Sequence, residues 1–142
     1  MQWITVDKDR VVASMATARR QMYDGWILAN PAKAARVEEL IANLVMEFRS
    51  GVEANPRNRM DPDPATLPQT CVRYCEELCV FEICMEMGAT LTAGELLSES
   101  KAEIFLRYMF SGRFYMTGGD GQDVPSPWYG EAAERKAKAV EA

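Results

Sequence analysis

The chain contains no histidine. That absence removes Ser-His-Asp and Cys-His nucleophile pairs, histidine-ligated zinc and the commonest general base near neutral pH. Phosphate-cradling glycine motifs are lacking too, whether G-x-G-x-x-G or a Gly-Lys-Ser/Thr loop, and so is a G-x-S-x-G elbow. Apolar runs extend only a few residues, so the sequence offers no membrane span. No basic stretch followed by an apolar one opens the chain; no secretory signal is visible, and an intracellular protein is expected. Basic charge is in deficit: 16 Lys+Arg against 21 Asp+Glu leave a net charge of −5, which argues against general nucleic-acid binding. Internal repeats are absent as well. An enzyme is therefore not expected, and the sequence assigns no catalytic residue, no metal and no cofactor.

What remains is the material of one ordinary domain: 142 residues, 48% hydrophobic and 26% charged. A chain of this size can bury enough surface to fold without a metal or disulfide. Helical spacing dominates. Val11, Met15, Ala18, Met22 and Trp26 predict a helix over about 8–22, capped by Asp7, with 23–30 frayed at Asp24-Gly25. Asn30-Pro31 signals a second start. The stripe Val37, Leu40, Ile41, Leu44, Val45 and Phe48 then predicts a helix over 31–53, the most clearly amphipathic of the chain. Pro56, Pro62, Pro64 and Pro68 exclude a helix between Asn55 and Pro68 and give a stiff, long loop.

Residues 68–87 predict a third helix, apolar on most sides and hence central, with Gly88 as its terminator. Thr92-Ala93-Gly94-Glu95 is a capping box. The helix it opens runs to Ser111-Gly112 and carries Leu97, Lys101, Ile104, Phe105 and Tyr108 on one expected face. Arg113–Met116 reads as a short extended piece, and Val124–Tyr129 as a second one with aromatic anchors. The stretch between them, from Thr117 to Asp123, reads as loop, and the alanine-rich tail forms at most a marginal helix. The resulting expectation is an all-α fold of about four helices, with a bundle domain over 1–113 and an extended C-terminal arm and tail over 114–142.

Four cysteines, Cys71, Cys75, Cys79 and Cys84, fall within one predicted helix. A straight helix cannot wrap four sulfurs around one ion, and Cys84 points about 140° away from Cys79 around the axis. They read as small buried hydrophobes kept as thiols. Neither Asp61-x-Asp63 nor Asp120-x-x-Asp123 supplies both the glycine and the glutamate of a calcium loop, and they read as turn acids. Acid concentrates late in the chain, with seven glutamates against three bases between residues 69 and 112. It reads either as a solvated face or as the complement of a basic surface on another subunit. Arg19-Arg20 and the pair Arg57 and Arg59 are the basic clusters, and all four need no role beyond the surface. In an assembly, Arg57 and Arg59 on the Pro-rich loop are natural partners for glutamates of a neighbouring copy.

One resemblance arises from the order of these elements. Glu47-Phe48-Arg49-Ser50-Gly51-Val52-Glu53-Ala54 closes a helix ahead of the Pro-rich loop. Leu67-Pro68-Gln69-Thr70-Cys71-Val72-Arg73-Tyr74-Cys75-Glu76-Glu77-Leu78 enters the central one. A Gly-containing turn follows, then a helix ending Ala102-Glu103-Ile104-Phe105-Leu106-Arg107-Tyr108-Met109-Phe110-Ser111-Gly112. Over residues 31–113 this resembles the helical head–tail adaptor (connector) proteins of tailed bacteriophages. The longer stretch over 16–30 and the Gly-rich and aromatic segments after 113 depart from that pattern.

The resemblance implies a structural virion protein of the neck, assembled in the host cytoplasm as a ring of about twelve copies. Its partners would be its own copies, the portal protein above and a stopper or tail-completion protein below. Genomic DNA would pass through the lumen without specific recognition, helped by acidic walls. Together with the basic loop and aromatic arm, it makes Arg57, Arg59, Phe114, Tyr115, Trp128 and Tyr129 the candidate partner contacts. The alternative is a small cytosolic helical binding or regulatory protein whose aromatic tail is a docking peptide.

Overall fold

Asp7, in extended conformation, accepts a hydrogen bond from the Arg10 amide at 2.9 Å and so starts the first helix. In the computed structural model, which describes residues 2–116, this helix (α1) covers Lys8–Ser14. The expected run to residue 22 breaks at Met15 and Ala16, whose ψ angles are 146° and 150°. Two contacts stabilise the break. Met15 turns into the core, and Arg20 Nη2 donates to the carbonyls of Ala13 (3.0 Å) and Met15 (3.3 Å), acceptors left over at the end of α1. The next helix (α2) spans Thr17–Ala29 and passes straight through Asp24-Gly25, where fraying is expected from sequence.

Pro31 and Ala32 form a turn, so the long amphipathic helix (α3) starts at Lys33 and ends at Glu53. Its inner stripe is Val37, Ile41, Val45, Phe48 and Val52, with Leu40 and Leu44 half-buried beside it. The Pro-rich stretch contains no α-helix but ends in a short strand. Trp3–Thr5 (β1) and Thr66–Pro68 (β2) pair antiparallel, with Trp3 opposite Pro68, Ile4 opposite Leu67 and Thr5 opposite Thr66. Pro68 is tolerated because a two-stranded ribbon consists only of edges.

The central helix (α4), Gln69–Met87, packs against α1, α3, β2 and the last helix (α5), Ala93–Phe110. Its apolar girdle is why it occupies the middle. Gly88, at φ 68°, closes α4 with its amide directed to the carbonyls of Cys84 and Met85. The Thr92–Glu95 capping box forms with both reciprocal bonds. The buried face of α5 is Ala102, Phe105, Leu106, Tyr108 and Met109. Leu97 and Ile104, placed on the inner stripe by periodicity, instead face outward at 57% and 36% exposure. Close packing decides the rotation: Met109 seats on Gly51 of α3 with no room for a side chain between them.

The core does not stop at residue 113. Phe114 is fully buried, edge-on to Phe105 with ring centroids 5.9 Å apart, and Met116 is buried behind it. The described residues therefore form a mostly helical bundle of five helices, with one small sheet, in place of four helices in a strictly all-α chain. No helix among them is long and apolar enough to cross a membrane.

Two of the helical glycines make opposite predictions. A Cβ on Gly25 meets nothing within 4 Å, so Gly25→Ala is expected to stabilise by up to about 1 kcal/mol. A Cβ on Gly51 lies 3.0 Å from Met109 Cβ, which the backbone of α5 holds in place. Gly51→Val is expected to cost about 1–3 kcal/mol by overpacking. Thermal melting of the two variants reads both signs.

Candidate functional site

Of the residues that the sequence nominates for partner contact, the structure brings three together and explains how. Asn58 is the organiser. Its Nδ2 donates to the carbonyls of Val52 (2.9 Å) and Phe114 (2.7 Å), while its Oδ1 accepts from the Met116 amide at 2.7 Å. One loop side chain thus ties the end of α3 to the chain leaving α5. Next to it, the Arg57 guanidinium lies over the Tyr115 ring, 4.5 Å from the centroid. Asn55 supports the loop beneath by accepting from the Arg57 amide at 3.0 Å.

The candidates divide accordingly. Arg57 and Arg59 are exposed, and Tyr115 is half-buried. Phe114 is corrected: at 0% exposure it is a core residue and has no free surface to offer a partner. Trp128 and Tyr129 lie outside the described residues. The sequence separates the Pro-rich loop and the arm by more than fifty residues, yet Asn58 and Arg57 join them directly.

The acidic second half of the chain is largely answered within the molecule. Arg10 pairs with Glu76 at 3.1 Å, Arg73 with Glu77 at 3.1 Å, and Lys33 and Arg36 with Glu86 at 3.2 and 3.4 Å. Hydrogen bonding from Lys33 holds the Glu86 carboxyl below its usual range. Arg19 is the most deeply placed base. Its Nε donates to Glu95 Oε2 at 2.8 Å, and its Nη2 donates to Glu95 Oε1 and to the Thr90 carbonyl at 3.0 Å. The Arg19 hydrogen bond is the largest cause that brings Glu95 down to about 2. Arg19-Arg20, read from sequence as surface charge, therefore locks α2 to the start of α5 and closes the end of α1. Among the described residues Glu82, Glu99 and Glu103 form no ion pair.

All four cysteines are buried thiols on α4, as the apolar reading expects. The Cys75 thiol is pushed well up, first by its hydrogen bond with Cys79 and then by burial. That is the opposite of an activated nucleophile. No group of three or more metal-ligating side chains converges among the described residues.

Two grooves stand out among the described residues. One, of about 590 Å³, runs between α1, α3 and the Pro-rich loop; the other, of about 790 Å³, lies between α2, α4 and the start of α5. Arg49 forms the loop-side wall of the first. It donates from Nη1 to the carbonyls of Thr66 (2.7 Å) and Asp63 (2.8 Å), from Nη2 to the Asp61 carbonyl, and its guanidinium lies over the Trp3 ring. Neither Arg49 nor Asn58 stands out in the sequence. The available signal was a loop too long for a plain helix connection, whose backbone carbonyls required donors from somewhere.

Comparison of the chain with protein families, with curated proteins and with solved structures finds no significant match.

Proposed function

We propose that the chain is a structural assembly module: a helical head–tail adaptor of a tailed bacteriophage, forming a ring between portal and stopper or tail-completion protein. The observation that carries the reading is the joining of the Pro-rich loop to the start of the C-terminal arm at one edge of the bundle. Asn58 and Arg57 give residues 117–142 a fixed point of departure, which suits an arm that reaches a neighbouring component. The element order α3, Pro-rich loop with β2, α4, tight turn, α5 follows the order on which the resemblance rests.

In this reading Arg57 and Arg59 meet glutamates of an adjacent copy, with Glu82, Glu99 and Glu103 as acids of α4 and α5 that form no ion pair among the described residues. Tyr115, Trp128 and Tyr129 contribute aromatic contacts to the portal or stopper. DNA passes through the lumen without specific recognition, and the working location is the neck of the virion. No residue is assigned a catalytic role.

Light scattering after size exclusion, with and without purified portal, tests the proposal. A ring or a portal complex is expected, weakening as salt rises because exposed ion pairs are screened. Arg59→Glu is expected to reduce assembly while leaving melting unchanged, since Arg59 is exposed. A chain that stays monomeric at all salt concentrations and ignores portal would overturn the reading. It would favour the small helical binding protein instead, for which the two grooves are the supporting feature.

A further inference from the structure

We propose that the groove between α1, α3 and the Pro-rich loop is the docking site for Val124–Tyr129 of the same chain. The groove measures about 590 Å³, the size of an ordinary ligand pocket. Its lining includes the apolar Val6, Ile41, Ala42, Val45, Met46 and Pro64, with charged side chains of α1 and α3 beside them. Met46 is 64% exposed there, a large adaptable side chain left uncovered in the middle of the surface.

The place where the described chain ends selects the occupant. Asn58 bonds the Val52 carbonyl at the end of α3 and also holds Phe114 and Met116. Gly112 passes the same end so closely that a Cβ there would lie 3.3 Å from the Ala54 carbonyl. Ser50 and Glu53, in the final turn of α3, form the near end of the groove. From them the groove follows α3 back to Glu38, about 22 Å at the helical rise. Residues 117–123 can span at most about 25 Å and the six that follow about 20 Å, so Val124–Tyr129 can reach its whole length.

Chemistry points the same way. Five of the six residues are apolar or aromatic, and Pro125 and Pro127 carry no N–H that would need a partner against the apolar part of the lining. Both grooves carry ion pairs in their walls, but the larger is the poorer match: an apolar segment there would desolvate two, Arg19–Glu95 and Arg73–Glu77, against the single Lys8–Glu38 pair of the first, whose glutamate is 62% exposed. Tethering raises the local concentration of the segment to about millimolar, so the chain's own copy outcompetes one from a second molecule. This inference goes beyond the adaptor reading and does not rest on it. In an assembly, the segment would leave the groove before Trp128 and Tyr129 met a partner.

Fluorine NMR of the full chain labelled with fluorotryptophan tests the docking. Trp3, Trp26 and Trp128 give three lines, and Trp128→Phe identifies the third. The expected Trp128 line is displaced from the free-indole position, returns to it in Ala42→Glu, and stays displaced in Met22→Glu at the other groove. It is expected not to move on serial dilution. Ala42 is exposed on a helix and glutamate is a good helix former, so the variant keeps its fold; Met46→Glu, at a position that is 64% exposed, provides a second reading. A Trp128 line already at the free position in the unsubstituted chain overturns the proposal. So does a response to Met22→Glu in place of Ala42→Glu, or a shift on dilution, which puts the segment on another copy. Absence of ring formation or portal binding leaves this measurement unaffected, so the two readings fail separately.

Discussion

Arg19→Ala is expected to destabilise the protein by about 3 kcal/mol at neutral pH, a drop of roughly 10 °C in Tm. The Arg19 side chain is 8% exposed and Glu95 is 21% exposed, so removing the guanidinium leaves a largely buried carboxylate without its cation. The Thr90 carbonyl loses a donor as well. Glu95 has a second task, accepting the Thr92 amide at 2.9 Å to complete the capping box, so it cannot turn away to solvent without opening α5. Arg19→Lys keeps the charge but not the fork that serves both carboxylate oxygens, and is expected to recover only part of the loss.

The same pair sets an acid limit. Glu95 is lowered from 4.5 to about 2 in the folded chain. A carboxylate held below its unfolded value contributes stability that is complete above pH 4.5 and disappears as pH falls towards 2. After solvent screening of a pair that still reaches water, the shift corresponds to about 1–3 kcal/mol. Glu95→Gln retains an N3 side chain able to close the capping box but has nothing to titrate. Its stability is expected to be lower at neutral pH and to lack this component of the decline in acid. Denaturant midpoints at pH 7, 4 and 2.5 separate the variants; parallel curves for Glu95→Gln and the unsubstituted chain would show that the pair does not contribute.

Regular periodicity was readable because the signals for α3, α4 and α5 are local. Asn30-Pro31 marks a boundary, with α3 starting two residues later than the signal places it, while Gly88 is a left-handed stop and Thr92–Glu95 a cap. Each is settled within a few residues of chain. The cysteines were readable for the same reason, since a helix fixes their directions by spacing alone. What could not be read depends on partners far along the sequence. The break at Met15-Ala16 is stabilised by Arg20, and the outward turn of Leu97 follows from Met109 meeting Gly51. The β1–β2 pairing joins residues more than sixty positions apart, in strands too short to show alternation. Phe114 looked like an anchor for another molecule because nothing near it in sequence forms a core; Phe105 supplies that core across the α5 turn. The candidate site was half legible: the loop and the arm were singled out, but the residue joining them, Asn58, carries no sequence signature.

The Pro-rich loop is expected to lose its shape when Arg49 is removed, with Arg49→Ala costing about 2–4 kcal/mol. Prolines stiffen the segment but also take donors away from it, so its carbonyls must be satisfied from outside. Arg49 does this for three of them, those of Asp61, Asp63 and Thr66, and its Nη1 also lies 3.3 Å from Thr66 Oγ1. Its planar face rests 5.4 Å from the Trp3 ring centroid, which adds β1 to the same centre. The consequence is local as well as global. The Val6 amide, bonded to the Ala65 carbonyl at 2.9 Å, and the Gln69 amide, bonded to the Gln2 carbonyl at 3.0 Å, should exchange with solvent faster in the variant. Amides in the middle of α4 should be slowed or hastened only in proportion to global stability. Lysine in place of Arg49 is a point charge without a fork and is expected to restore little. Arg57→Ala provides the contrast: an exposed guanidinium over Tyr115 is worth about 0.5–1 kcal/mol, so its loss should loosen the arm while Val6 and Gln69 exchange as before. Equal exchange of the Val6 and Gln69 amides in Arg49→Ala and the unsubstituted chain would mean that the prolines alone shape the loop.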